Sequence, residues 1–121
     1  MQITRRVLGG AAVLALTGDL GRATAEEVSR AQDLTMPETG AVVLDLSDVP
    51  YLSSAGLRVL LLLHRRARMR RQRLALVGVP AETRELLSTT GFLDAFLVAE
   101  TVAGAVAELT GHRVLQGVGR S

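Results

Sequence analysis

Hydrophobic positions fall along this chain in short runs whose spacing alternates between that of strands and that of helices. Ile3 to Leu8 and Ala11 to Leu16 are two apolar stretches separated by Gly9-Gly10. A glycine pair tolerates the positive φ angles of a tight hairpin, so the pattern predicts two antiparallel strands. Thr24 followed three residues later by Glu27 has the form of a capping box, and Val28, Ala31 and Leu34 supply a modest apolar stripe before Pro37. A first helix is expected from Ala25 to Leu34, then a loop from Met36 to Gly40. Ala41 to Leu46 is nearly continuous apolar sequence, as a strand covered on both faces should be, and is expected to be the central strand.

Ser53 or Ser54 can cap a second helix with Leu57, Leu60, Leu61 and His64 on one side and Arg65, Arg66 and Arg68 on or near the other. Leu74 to Val79 is a further short buried strand. Pro80 and Glu82 open a helix that runs through Leu86 and Leu87 and stops before Gly91, and Phe92 to Val98 holds a last strand, placed at Ala95 to Val98. Thr101 can cap a final helix whose Val102, Ala105, Val106 and Leu109 face inward and which ends near Gly111. Strands and helices alternating in this order imply an α/β fold (α+β by some schemes), an open mixed sheet with helices packed against it through right-handed crossovers. The expected organisation is a single domain over residues 1–115 and a flexible tail over 116–121.

Composition narrows the chemistry. With 121 residues there is room for one core. Hydrophobic residues make up 48% and charged residues 21%, which excludes a disordered solvating chain. Cysteine is absent and His64 and His112 are the only histidines, so neither a thiol nucleophile nor a metal centre is expected, and no cofactor. No apolar run is long enough to span a bilayer. Arg5-Arg6 followed by Val7 to Leu16 imitates a short signal peptide, but Gly9-Gly10 interrupts the run and the segment supplies strands a small domain needs; a cytoplasmic protein is expected.

All 14 basic residues are arginine, and seven of them, from Arg58 to Arg73, lie within about one eighth of the chain. Such a cluster invites a nucleic-acid reading. Against it, the cluster ends a helix, where cations meet the carboxyl-end dipole, and no aromatic residue stands nearby to stack a base. Direct binding to nucleic acid is not expected.

Chemistry concentrates between Asp45 and Leu57, where a strand delivers the chain to a polar turn and two adjacent hydroxyls, Ser53 and Ser54, arrive where a helix begins. The free amides of that first helical turn form an anion site, and a phosphate on Ser54 would add about two negative charges there. The plainer reading is a cap at Ser53 with Gly56 present for close packing. Asp45, Asp48 and His64 do not make an enzyme of this turn, because a helix from Ala55 carries His64 more than two turns from Ser54.

The stretch Val42 to Leu63, centred on Tyr51-Leu52-Ser53-Ser54-Ala55-Gly56-Leu57, resembles the signature of the STAS family, which includes the anti-sigma factor antagonists: an aromatic and an aliphatic residue, then Asp-Ser-Ser-Gly-Leu, after a central strand. Gly56 and Leu57 agree directly, Ser54 matches the hydroxyl that a partner kinase phosphorylates, Ser53 replaces the usual Asp, and Ala55 replaces the second hydroxyl residue. Leu16 to Leu20, Leu74 to Val79 and Leu86 to Phe92 resemble the family's flanking segments, so the likeness covers about residues 3–110.

The resemblance implies an anti-sigma factor antagonist, not an enzyme, that binds an anti-sigma factor of the histidine-kinase-like ATPase (Ser kinase) type, frees its sigma factor, and is switched off by phosphorylation at Ser54. The implied partner surface is Tyr51, Ser53, Ser54, Ala55, Gly56 and Arg58. A phosphatase and weak self-association are admitted beside that partner; membrane insertion is not. The rival implication is a STAS accessory subunit of a lipid or solute transporter, without a phosphoswitch.

Overall fold

Pairing the short apolar runs side by side determines which residues are buried. A computed structural model describes residues 2–21, 23–35, 40–50, 52, 54–90 and 96–111. In order the elements are β1 (Gln2–Leu8), β2 (Ala11–Thr17), α1 (Thr24–Thr35), β3 (Ala41–Asp48), α2 (Ser54–Met69), β4 (Arg73–Val77), α3 (Ala81–Thr90), β5 (Leu97–Ala99) and α4 (Val102–Thr110). The five strands lie in the sheet in sequence order. β1 pairs antiparallel with β2, and β2, β3, β4 and β5 are parallel neighbours, so the mixed sheet is as the alternation implies. Gly9 and Gly10 turn the hairpin with φ of 55° and 86°, the doubly left-handed geometry that matches strand twist.

Because each parallel strand steps to the next position in one direction, right-handed crossovers lay α1, α2 and α3 on the same face. Val28 of α1, Leu60 and Leu63 of α2 and Leu87 of α3 share one core with Leu14, Val42, Leu44 and Leu76. The opposite face is covered by α4, whose Ala105, Val106 and Leu109 pack on Ala11, Val13, Ala41, Val43, Ala75 and Val77. β3 is therefore covered on both sides, and Ala41, Val42, Val43 and Leu44 are fully buried. That double cover is the physical content of its unbroken apolar run.

Several local expectations are corrected. Thr24 does not cap forward: it lies inside α1, nearly buried, and its hydroxyl accepts from the Gly21 N–H at 2.8 Å, while the Glu27 N–H donates to the Ala23 carbonyl at 3.1 Å. β3 continues to Asp48 because a shift in pairing between Ala15 and Thr17 sets Thr17 opposite Asp48. β4 ends at Val77, since Gly78 takes φ +70° and leaves the ladder. β5 is Leu97–Ala99, one residue beyond its expected end. The buried stripe of α2 is Gly56, Val59, Leu60, Leu63 and Ala67, while Leu57, Leu61 and His64 are half-buried. A helix apolar on nearly every side leaves its periodicity ambiguous, and the sheet selects the stripe. Of the loop expected from Met36 to Gly40, residues 36–39 lie outside the described residues, as do the segment 91–95 and the tail over 116–121.

The ends of two helices bear on function. α4 is capped as expected, the Thr101 hydroxyl accepting from the Gly104 N–H at 3.0 Å and Gly111 closing the C-terminus in the left-handed conformation. α2 closes differently. The Gln72 N–H donates to the Ala67 carbonyl at 2.8 Å and the Arg71 N–H to the Arg68 carbonyl at 3.1 Å, a Schellman closure whose left-handed position is held by Arg71 at φ 56°. Glycine adopts that conformation freely; another L-residue gives up roughly 1–2 kcal/mol there.

Candidate functional site

The parallel strands all point their carboxyl ends to one side, so the turns that follow β2, β3, β4 and β5 gather there. The exit from β3 is held by its own side chains. One Asp45 carboxylate oxygen accepts from the Ser47 N–H at 3.0 Å and from the Ser47 hydroxyl at 2.6 Å, which ties off the strand end. The Val49 N–H donates to the Leu46 carbonyl at 3.0 Å, and the Gly18 N–H, from the turn after β2, to the Asp48 carbonyl at 3.3 Å. Val49 is buried, Pro50 is exposed, and Leu52 packs half-buried against the main core.

Ser54 is the first residue of α2 and is exposed, as are Ala55 and, one turn on, Arg58. Gly56 is buried at the contact between this turn and the turn after β2: a Cβ there would stand 3.1 Å from Leu52 Cγ and 3.2 Å from Leu20 Cβ. Its lack of a side chain thus seats the start of α2 against Leu20 and Leu52 and presents Ser54 outward. The first turn of α2 contains no acidic residue, whereas α1 has Glu26 and Glu27 and α3 has Glu82. The positive end of the α2 dipole is not answered by a carboxylate of its own turn, an arrangement suited to an anion. Tyr51 and Ser53, the other expected contact residues, lie outside the described residues.

Adjacent strands bring a second turn alongside. Pro50 and Leu52 line a cavity of about 300 Å³ with Pro80, Ala81, Glu82 and Thr83 at the start of α3. Sequence reasoning read Pro80 and Glu82 only as a helix start. The available signal was topological: consecutive parallel strands joined by one crossover place their exit turns side by side. His64 takes no part in this site. It stands ten residues along α2 from Ser54, about 15 Å at the helical rise, with its ring edge-on to Phe96 at 4.9 Å. Among the described residues no group of three or more His, Asp or Glu could hold a metal ion, and no helix is long and apolar enough to cross a membrane.

A family model described as "Mlab, STAS domain" matches residues 3–99. The chain belongs to the STAS domain family. The BtrV protein of Bordetella bronchiseptica, assigned as an anti-sigma factor antagonist, is 35% identical to this STAS chain over 109 residues, covering 88% of it and 93% of BtrV. Solved structures agree in fold. RsbS of Moorella thermoacetica superposes with a TM-score of 0.74 at 17% identity, over 92% of this chain and 97% of that one. The phosphorylated form of the Bacillus cell fate determinant SpoIIAA superposes with a TM-score of 0.63 at 17% identity, over 89% of this chain and 99% of that one. Within the matched range of this STAS chain, Ser54 stands at the exposed start of α2.

Proposed function

We propose that this STAS protein is an anti-sigma factor antagonist that docks on a partner anti-sigma Ser kinase through the Ser54 turn, frees the sigma factor held there, and is released when Ser54 is phosphorylated. The observation that carries this reading is the placement of Ser54: exposed, first in α2, two residues before a buried glycine that holds the turn in position. A docking surface made of Pro50, Leu52, Ser54 and Ala55, with Arg58 at its edge, is small-featured and largely uncharged. A phosphate on Ser54 adds about −1.5 to −2 charges to such a patch, and the partner would have to bury that dianion. The positive end of the α2 dipole stabilises the phosphorylated form on its own, and the cost falls on the complex. The likeness to BtrV and to SpoIIAA, a protein with a phosphorylated form, supports the same reading.

Intact mass and phosphosite mapping of the protein from its own cells under varied stress, beside a Ser54→Ala variant, tests it. A condition-dependent phosphate on Ser54 and loss of partner capture by the phosphorylated form are expected. Ser53, standing where the family pattern has Asp, favours a second reading in which the same turn docks unmodified as the accessory subunit of a transporter ATPase. Under that reading the mass never changes, and the pulled-down partner is a transporter subunit.

A further inference from the structure

The opposite end of α2 has a chemistry that the Ser54 turn does not explain. Arg65, Arg68, Arg70, Arg71 and Arg73 are exposed there, and Met69, the last residue of the helix, is 80% exposed among them. The helix dipole accounts for Arg66 and Arg68 in the last turn, not for the cluster. The Glu26 carboxylate pairs with Arg66 at 3.0 Å, and the backbone carbonyl of Glu108 accepts from Arg73 at 3.3 Å. Two of these arginines, Arg68 and Arg73, line a concavity of about 290 Å³ together with Leu74, Leu97, Leu109, His64 and Glu108. A second hollow adjoins it, sharing His64 and Arg68 and reaching Met69. Arg71 is held in the left-handed conformation, where glycine would close the helix without strain. A charged residue kept at a strained position points to a use for its side chain.

We infer that the arginine-rich end of α2 is a second docking surface, which takes an acidic protein segment bearing an apolar side chain, independently of the Ser54 turn. The guanidinium groups match carboxylates, and the leucine lining matches one apolar side chain. Ser54 and Met69 are separated by the full length of α2, about 22 Å, so both surfaces can be occupied together. A nucleic acid is a poorer fit: Phe96, the aromatic ring at this end, is buried beside His64 and offers no face for stacking. A bilayer is poorer too, because Leu74 and Leu109 are buried in the lining of a concavity that a flat surface does not reach.

Fluorescence anisotropy with a labelled peptide of alternating Glu and Leu tests this, with the same peptide carrying Gln for Glu as control. The Glu peptide is expected to bind tighter than the Gln peptide and to weaken as salt is added. Arg68→Gln combined with Arg71→Gly should weaken it roughly three- to tenfold. Arg71→Gly alone should meanwhile raise the melting temperature by about 4–8 °C, which separates lost binding from lost folding. Ser54→Glu should leave peptide affinity unchanged, so failure of the Ser54 phosphoswitch and failure of this surface are read separately. Equal binding of the two peptides would overturn the inference, as would a double variant that binds like the parent. Displacement of the peptide by duplex DNA or by phosphatidylserine vesicles at lower concentration would overturn it in favour of those ligands.

Discussion

Replacing Gly78 by alanine tests how the exit of β4 is fitted against the exit of β3. Two costs coincide at this position. Gly78 has φ +70°, where a Cβ costs roughly 1–2 kcal/mol. That Cβ would also stand 2.7 Å from the backbone nitrogen and 2.8 Å from the Cα of Ser47, and would collide with the Ser47 hydroxyl. The hydroxyl could rotate away, but the backbone is harder to move, because Ser47 is bound to Asp45 through both its N–H and its side chain. Forcing the two strand ends apart adds about 1–3 kcal/mol, as overpacking does elsewhere. The sum is about 2–5 kcal/mol, a large share of the roughly 5–15 kcal/mol that holds a domain folded. Urea unfolding followed by circular dichroism should show the midpoint falling with the slope unchanged, and the melting temperature should drop by roughly 8–20 °C. Gly21→Ala is the control, since a Cβ there meets nothing within 4 Å. A Gly78→Ala protein within about 0.5 kcal/mol of the parent would refute the steric account and mean that the β3 and β4 exits are not rigidly apposed.

Other outcomes follow from single contacts. Leu60→Ala removes a fully buried side chain beneath α2 and should cost about 2–5 kcal/mol by denaturant titration, whereas Leu86→Ala, at a position 44% exposed, should cost far less. Thr101→Ala deletes the acceptor for the Gly104 N–H and should destabilise by about 1 kcal/mol, seen as faster amide exchange in the first turn of α4. Ser54→Glu, at an exposed helix start, should leave stability within about 0.5 kcal/mol of the parent while abolishing partner capture in a pull-down. Glu26→Gln breaks the surface pair with Arg66 and should change stability by no more than about 0.5 kcal/mol, with the difference vanishing in high salt.

Local pattern was enough wherever one segment carried its own instruction. Gly9-Gly10 specified the hairpin, the unbroken apolar run from Ala41 specified a strand covered twice, and Thr101 with Gly111 marked both ends of α4. The Ser54 motif was legible for the same reason: a strand, a proline turn and a helix start are contiguous, and the family resemblance rested on that stretch. The remaining features depend on residues far apart in the chain. Which stripe of α2 faces the sheet, why β3 runs on to Asp48, why Gly78 tolerates no side chain beside Ser47, and how Pro50 comes to share a cavity with Glu82 are all consequences of strand pairing. Helical periodicity is read within a few residues, whereas strand register is a contact between segments some thirty positions apart, such as Val43 with Ala75. No window on the sequence contains both partners of such a contact, so the shape of the site around Ser54 emerges only when the strands are laid side by side.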